Sequence, residues 1–240
     1  MFDSVFRTVK GNHEVNEDYV VSVSVTLTPY SPEVKIGVVC DGMGGMAKAR
    51  ESARIAANTF VSELVHSLIE QCDFEVDYFD ICNYRDRIVA SVKNAIQKAN
   101  EAVCALAVSG VQNGTTLSGV LIIGNYMVAI NIGDSPIYCK HGDDWNLVSE
   151  INNEFANDFD EESKTVLTNY LGKYSQLDET MCHIYIEENM NAGKTGGILI
   201  MSDGLYEAMD DFYNIYDFLK NDLDYSKFND DDKTVLLFEV

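Results

Sequence analysis

Ile36-Gly37-Val38-Val39-Cys40-Asp41-Gly42 and Ile198-Leu199-Ile200-Met201-Ser202-Asp203-Gly204 are two versions of one phrase, an apolar run that leads straight into Asp-Gly. Both runs are rich in β-branched residues and too short for buried helices. Each therefore reads as an interior strand that hands its aspartate to a loop at the sheet rim. Glycine directly after each aspartate permits a sharp turn and a close backbone approach, which suits a hard cation bound by carboxylate and carbonyl oxygens. Taken singly, either phrase reads more readily as an ordinary strand-to-turn exit, because Asp-Gly is common turn chemistry.

Further acidic residues of the same kind surround these two. Asn16-Glu17-Asp18 lies just before the apolar run 19–25, Gly133-Asp134-Ser135 follows the strand at 127–132, and Asp230-Asp231-Asp232 precedes a terminal strand at 234–240. Carboxylates ordinarily scatter over helix faces and loops. Their recurrence at strand ends predicts a convergent acidic cluster whose mutual repulsion calls for cations. Oxygen ligands point to magnesium or manganese. Calcium is disfavoured because there is no EF-hand spacing, and zinc because no His or Cys pair has ligand spacing.

Between these rim residues the pattern alternates blocks of strands with a pair of helices. Strands are predicted at 4–9, 19–28 and 34–40, then at 116–123, 126–132, 137–140 and 145–148. A helix is expected over 47–69, where Ala49, Ala53, Ala56, Phe60, Leu64 and Leu68 form one apolar stripe. A second is expected over 85–108, with Ile88, Val92, Ala95, Ala99, Ala102 and Leu106 at the same period. Gly124-Asn125 and His141-Gly142-Asp143-Asp144 read as hairpin connections, so antiparallel meanders and a layered α+β class are expected. At 240 residues without a Pro-rich, Ser-rich or low-complexity linker, one domain over residues 1–240 is the simplest organisation.

The formal net charge of −22, with 17 scattered Lys and Arg residues, argues against nucleic acid and anionic membrane surfaces, both of which demand basic patches. No apolar run approaches the roughly 20 residues of a membrane span. The N-terminus carries Asp3 and Arg7 instead of a basic segment followed by an apolar one, so a soluble, cytoplasmic protein is expected. The six cysteines show no CxxC and no regular spacing, as reduced core residues would. None sits in a glycine-rich basic loop, which disfavours a covalent cysteine route.

The order of the phrases resembles the metal-dependent protein phosphatases of type 2C, particularly their compact bacterial members. Residues 11–18 look like the opening Gly-x-Arg-x-x-Asn-Glu-Asp of that family, and Asp41-Gly42-Met43-Gly44-Gly45 like its metal loop. Gly114-Thr115-Thr116, Gly133-Asp134-Ser135, Ser202-Asp203-Gly204 and Asp231-Asp232-Lys233-Thr234 follow in family order. Six phrases in one order over one domain length are hard to obtain by chance.

The resemblance implies a four-layer αββα sandwich, two antiparallel sheets flanked by helices, with metal at one end. It implies that Asp41 bridges two central ions, Gly42 offers its carbonyl and Glu17 binds one ion, while Asp203 and Asp231 bind the other. Asp134 would share an additional ion with Asp203, and Asp18 would support the site through water. The implied activity is hydrolysis of phosphoserine or phosphothreonine with two Mn2+ or Mg2+ ions, or three, by water activated between cations. The implied partner is a phosphorylated protein, in bacterial signalling that opposes a serine/threonine kinase.

Three features depart from the family pattern, at His13, at Pro136 and over residues 149–171. His13 stands where an arginine grips phosphate; it offers fewer donors and carries charge only near or below a pKa of about 6.5. A solvated or core-edge histidine is an equal reading of it. Pro136 replaces the arginine that usually completes Gly-Asp-Ser, a change expected to affect packing more than chemistry. Residues 149–171 lack the Asp-His-Ser phrase that leads into a substrate-selecting flap, and read Ile151-Asn152-Asn153-Glu154-Phe155 instead. Met43 occupies a position held by histidine in eukaryotic relatives and reads as a packing residue. Two rivals to the phosphatase follow: a weakly active relative that binds phosphoproteins, and a hydrolase of small phosphate esters.

Overall fold

The computed structural model describes residues 3–27, 31–46, 48–71, 84–107, 112–155, 165–188, 190, 195–209, 212, 214–220 and 229–239. The N-terminal strands are β1 (Asp3–Val9), β2 (Tyr19–Val25) and β3 (Val34–Cys40), followed by helices α1 (Ala49–Gln71) and α2 (Arg85–Cys104). Then come β4 (Leu117–Ile123), β5 (Tyr126–Ile132), β6 (Ile137–His141), β7 (Asp144–Leu147), β8 (Asn153–Phe155), β9 (Thr165–Leu167) and β10 (His183–Glu187). The chain finishes through β11 (Thr195–Met201), α3 (Asp203–Tyr206), α4 (Asn214–Lys220) and β12 (Lys233–Glu239).

Two five-stranded sheets form, in the orders β1-β12-β11-β6-β7 and β10-β5-β4-β3-β2, and every pairing in them is antiparallel. Side-chain alternation sorts each inner strand into two layers. In β3, Val34, Ile36, Val38 and Cys40 pack beneath α1 and α2, while Val39 packs between the sheets with Ile198, Ile200, Leu236 and Phe238. The opposite faces of β11 and β12, Leu199, Met201, Val235 and Leu237, meet Leu205, Ile215 and Phe218 of α3 and α4. Helix, sheet, sheet and helix therefore stack as four layers, an α+β sandwich.

Glycine sets the sheet spacing at one point. A Cβ on Gly37 would lie 2.6 Å from both Leu236 Cδ2 and Phe238 Cζ, so the missing side chain makes room for the Phe238 ring between the sheets.

The stripe expected on the first helix is buried along its whole length. On the second, Ile88, Val92, Ala95 and Ala99 are buried as expected, but Ala102 and Leu106 are half-buried and Ile96 and Val103 take the core side. The helix ends at Cys104, so Leu106 falls beyond the stripe. The expected starts and ends of these helices at residues 47 and 108, and the ends of two strands at 28 and 240, lie outside the described residues.

Strand β10 has no counterpart among the expected strands. Its five residues are all half-buried at a sheet edge, where a short run has little apolar contrast to announce it. Helices α3 and α4 were also not signalled; at four and seven residues they are too short for a periodic stripe to show.

Candidate active site

The rim residues converge at one end of the sandwich. His13, Asp41, Gly42, Thr116, Asp134, Asp203 and Asp231 line one open cleft of about 640 Å³, together with Met43 and Leu167. Glu17 and Asp18 adjoin it.

Asp41 leaves β3 under tight backbone control. Its N–H donates to Thr116 Oγ1 at 2.9 Å, and its carbonyl accepts from Thr115 Oγ1 at 2.7 Å and from the Thr116 N–H at 2.9 Å. The Gly42 N–H donates to the Glu17 carbonyl at 3.3 Å, which seats the 11–18 segment against the loop that follows Asp41. A Cβ on Gly42 would overlap the Ala49 carbonyl and crowd that of Glu17. Neither Gly42 nor Gly204 has a positive φ. The expected turn flexibility is thus corrected: these two glycines are needed for close approach, not for a left-handed backbone.

The second phrase behaves differently from the loop expected of it. Asp203 opens the helical turn α3, and its Oδ1 accepts from the following Gly204 N–H at 2.6 Å. A Cβ on Gly204 would overlap the Asp232 carbonyl and lie 2.9 Å from Asp231 Cβ, so this glycine lets the 229–232 loop close over Asp203.

The electrostatics are those of an acidic cluster. Burial, then the charges of Asp18 and Asp203, hold Asp41 well above the usual carboxylate range. Burial pushes Asp18 up to about 7, against the nearby Thr234 and Ser202 hydroxyls, and burial followed by Asp203 pushes Asp134 up to about 7. Asp231 is raised by burial and then Asp203; Glu17 is raised by burial, with His13 opposing. Glu17 Oε2 and both Asp18 oxygens are buried without a hydrogen-bond partner among the described residues. Ser202 and Thr234 do not satisfy Asp18, since the Thr234 hydroxyl donates to Thr8 Oγ1 and the Ser202 hydroxyl donates to the Asp232 carbonyl. Buried carboxylates without partners are costly, and a divalent cation is the group that would compensate them. The donor set fits such ions.

Among the described residues the tightest grouping of ligating atoms is His13, Asp231 and Asp232. Asp232, however, is already committed. Its Oδ1 accepts from the Gly11 N–H at 2.7 Å, and its Oδ2 accepts from the Glu17 N–H at 2.7 Å and meets His13 Nδ1 at 3.1 Å. This 1 %-exposed carboxylate is the post around which residues 11–17 wrap. The hydrogen bond to Asp232 raises the His13 pKa, with burial opposing and the charges of Asp232, Glu17 and Asp231 adding to the rise. With Nδ1 occupied, His13 Nε2 lies beside Gly44 at the cleft wall, 3.8 Å from where a Gly44 Cβ would stand. The core-edge reading of His13 gives way to a cleft-lining one.

Two further acidic residues escaped the sequence reading. Asp232 was visible only as one of three consecutive aspartates. Glu207, whose N–H bonds the Asp203 carbonyl at 2.7 Å, is raised by burial and then by Asp203 and Asp231, and its charge also acts on Asp134. Its signal is the four-residue spacing from Asp203, legible only once a helical turn is known there.

The altered 149–171 segment forms the β8–β9 hairpin, with residues 156–164 outside the described set. Its feet stand on two loops of the cleft: the Asn152 N–H donates to the Gly133 carbonyl at 2.9 Å, and Leu171 and Thr115 exchange backbone bonds at 2.9 and 3.2 Å. Met43 packs against Gly114, where a Cβ would come within 2.7 Å of its sulfur. The Pro136 carbonyl accepts from the Met201 N–H at 3.1 Å, a sheet contact and not a cleft contact.

The site is thus a gathering of carboxylates at one end of an antiparallel αββα sandwich. A family model described as protein phosphatase 2C matches residues 11–233, and the chain belongs to that family. It is accordingly a metal-dependent protein serine/threonine phosphatase. Solved structures share the fold. A bacterial serine phosphatase superposes with a TM-score of 0.72 at 18% identity, covering 100% of this chain and 98% of that one. Serine/threonine phosphatase Stp1 from Staphylococcus aureus gives 0.69 at 18% identity over 100% and 95%. The catalytic domain of PstP, solved with two manganese ions, gives 0.66 at 20% identity over 99% and 97%. No curated protein matches the chain by sequence.

Proposed function

We propose that residues 1–240 act as one catalytic unit that hydrolyses phosphoserine and phosphothreonine in proteins. Two Mn2+ or Mg2+ ions would be held by Glu17, Asp41, the Gly42 carbonyl, Asp203 and Asp231. The carrying observation is the set of buried oxygens on Glu17 and Asp18 that have no hydrogen-bond partner among the described residues, beside an Asp41 that burial and then the charges of Asp18 and Asp203 hold well above the usual carboxylate range. Asp134 and Asp203, with Glu207 close enough for its charge to act on Asp134, would hold a further ion. The manganese pair in the PstP relative supports the choice of metal. When bound, such ions activate water for attack on phosphorus and neutralise the phosphoryl oxygens.

The chain's own residues then do three things. Asp232 fixes the His13 ring, so that Nε2 is the edge offered to a phosphoryl oxygen. Asp18 lies behind the cluster, where it can hold a water on the core side. The β8–β9 hairpin contributes Leu167 to the cleft wall, where a polypeptide substrate would pass. The proposed setting is a cytoplasmic circuit opposing a serine/threonine kinase; among the described residues no helix is long and apolar enough to cross a membrane.

The test is turnover of phosphothreonine peptides against a small aryl phosphate, with manganese, with chelator, and after manganese is restored. The expected result is peptide hydrolysis that chelation abolishes and manganese recovers. Phosphopeptide binding that survives chelation, without turnover in any divalent ion, would replace the enzyme with a binding module. Turnover confined to the small ester would replace the protein substrate.

A further inference from the structure

Between the sheets, an otherwise apolar layer contains a chain of buried polar side chains that points at the cleft. Asn131 Nδ2 donates to Ser118 Oγ at 2.9 Å and to the Ser135 carbonyl at 3.1 Å, and Ser118 Oγ donates to that same carbonyl at 2.6 Å. Ser135 Oγ meets Thr116 Oγ1 at 3.0 Å, and Thr116 Oγ1 accepts the Asp41 N–H at 2.9 Å. All four side chains are at most 1 % exposed, and Asn131 Oδ1 has no hydrogen-bond partner among the described residues. Apolar residues of similar size would fill this layer without an unpaired acceptor. The network has a geometric output instead.

That output is Thr116, which touches two loops at once. Its hydroxyl holds the Asp41 peptide on one side and Ser135 on the other. Its methyl packs on the turn ahead of Asp134, where Gly133 adopts φ 111° and a Cβ would lie 2.6 Å from Thr116 Cγ2. We propose that Thr116 is a positioning residue whose hydroxyl link to Ser135 locks the Asp41 exit and the Asp134 loop into one rigid unit, so that the cation positions at the two loops are set together. The inference rests on the metal-centre reading. It adds that the two loops are not independent ligand donors. Removing the link frees both, and each ion then binds a set of carboxylates that must be ordered at the moment of binding.

Three substitutions separate hydroxyl from shape. Thr116→Val keeps the volume and the methyl but removes the link; Thr116→Ser keeps the hydroxyl and removes the methyl; Ser135→Ala removes the link from its other end. Calorimetric titration of manganese into each folded protein, without substrate, is the readout, with thermal unfolding recorded alongside. Thr116→Val and Ser135→Ala should each weaken manganese binding about tenfold. The double variant should be no weaker than Thr116→Val alone, since that substitution already removes the Thr116–Ser135 bond along with the bond to the Asp41 N–H. Thr116→Ser should bind within about threefold of wild type, and kcat in Thr116→Val should fall while KM stays near its wild-type value. Manganese affinity unchanged in Thr116→Val and Ser135→Ala, with only the melting temperature lowered, would reduce the link to fold stabilisation. Additive losses in the double variant would show two separate roles and overturn the shared unit. A wild type that takes up no manganese would overturn the metal-centre reading itself, and is distinguished from these outcomes by the unsubstituted titration.

Discussion

The two Asp-Gly exits begin alike and end differently. At the end of β3, Asp41 is held through its backbone: its N–H is bonded to Thr116 and its carbonyl to both Thr115 and Thr116, and the carboxylate is left to face the cluster. At the end of β11, Asp203 starts a helical turn, and its carboxylate accepts the N–H of its own glycine. Asp41 is surrounded by acids and buried; Asp203 is the acid whose charge recurs among the causes that raise Asp41, Asp134, Asp231 and Glu207. One exit holds its carboxylate through a bonded backbone, and the other places an acid that acts on the acids around it. A strand end can thus place a carboxylate, while the structure that follows decides what the carboxylate is for.

The largest effects should come from neutralising either exit. Asp41→Asn and Asp203→Asn are each expected to lower kcat/KM by on the order of a hundredfold or more, because either removes a ligand from one shared cluster. Both variants should remain folded, and in chelator both should melt no lower than wild type, since each removes one of several crowded charges. Steady-state kinetics with thermal unfolding checks this. Retained turnover in Asp41→Asn would break the comparison at its root.

The same crowding makes the chelated protein sensitive to pH. Asp18 and Asp134 sit near 7 when folded, against an ordinary value of 3.8. Between those limits the folded state holds protons that the unfolded state releases, so stability falls as pH rises from about 4 to about 7. For Asp18 alone the shift corresponds to about 4 kcal/mol. The melting temperature in chelator should accordingly drop from pH 5 to pH 7.5, and saturating manganese should remove most of that drop. A melting temperature that rises over this interval would mean that the carboxylates are compensated by the chain itself.

His13 sharpens the comparison from the substrate side. Its raised pKa, maintained by Asp232, keeps the ring charged to higher pH than a free imidazole. The Michaelis constant for a phosphopeptide should increase as pH passes through that value, and His13→Arg should flatten the profile and lower the constant about tenfold at pH 8. Matching profiles for both proteins between pH 6 and 9 would place phosphate recognition elsewhere.

A smaller effect distinguishes the two glycines. Gly42→Ala and Gly204→Ala should each cost about 1–3 kcal/mol of stability through overlap with backbone carbonyls. Only Gly204→Ala pushes directly on Asp231 Cβ, so its manganese affinity should fall more than that of Gly42→Ala. Equal losses in calorimetry would erase this asymmetry.

Much of the architecture is legible in the sequence because it depends on local pattern. The bounds of β3 and β5 coincide with those expected, and the apolar stripe of α1 is buried at every named position. The gathering of the rim carboxylates follows from their shared place at strand ends. What could not be read depends on contacts distant in sequence. Asp232 looks like a third solvated aspartate until Gly11, His13 and Glu17 are seen to fold around it, more than 200 residues away. Glu207 depends on a helical turn of only four residues, and β10 on an edge position that leaves it without contrast. The role of His13 was ambiguous because a histidine's function lies in the partner of its second nitrogen, which no spacing encodes.

The central claim is that the two exits feed one metal cluster, and manganese calorimetry on wild type, Asp41→Asn and Asp203→Asn tests it most directly. Wild type should bind at least two ions; Asp41→Asn should weaken both, because Asp41 is shared between them, and Asp203→Asn should weaken the ion it shares with Asp41. If Asp41→Asn lost one ion and left the rest at wild-type affinity, or if wild type bound none, the strand exits would be separate sites or no metal site at all.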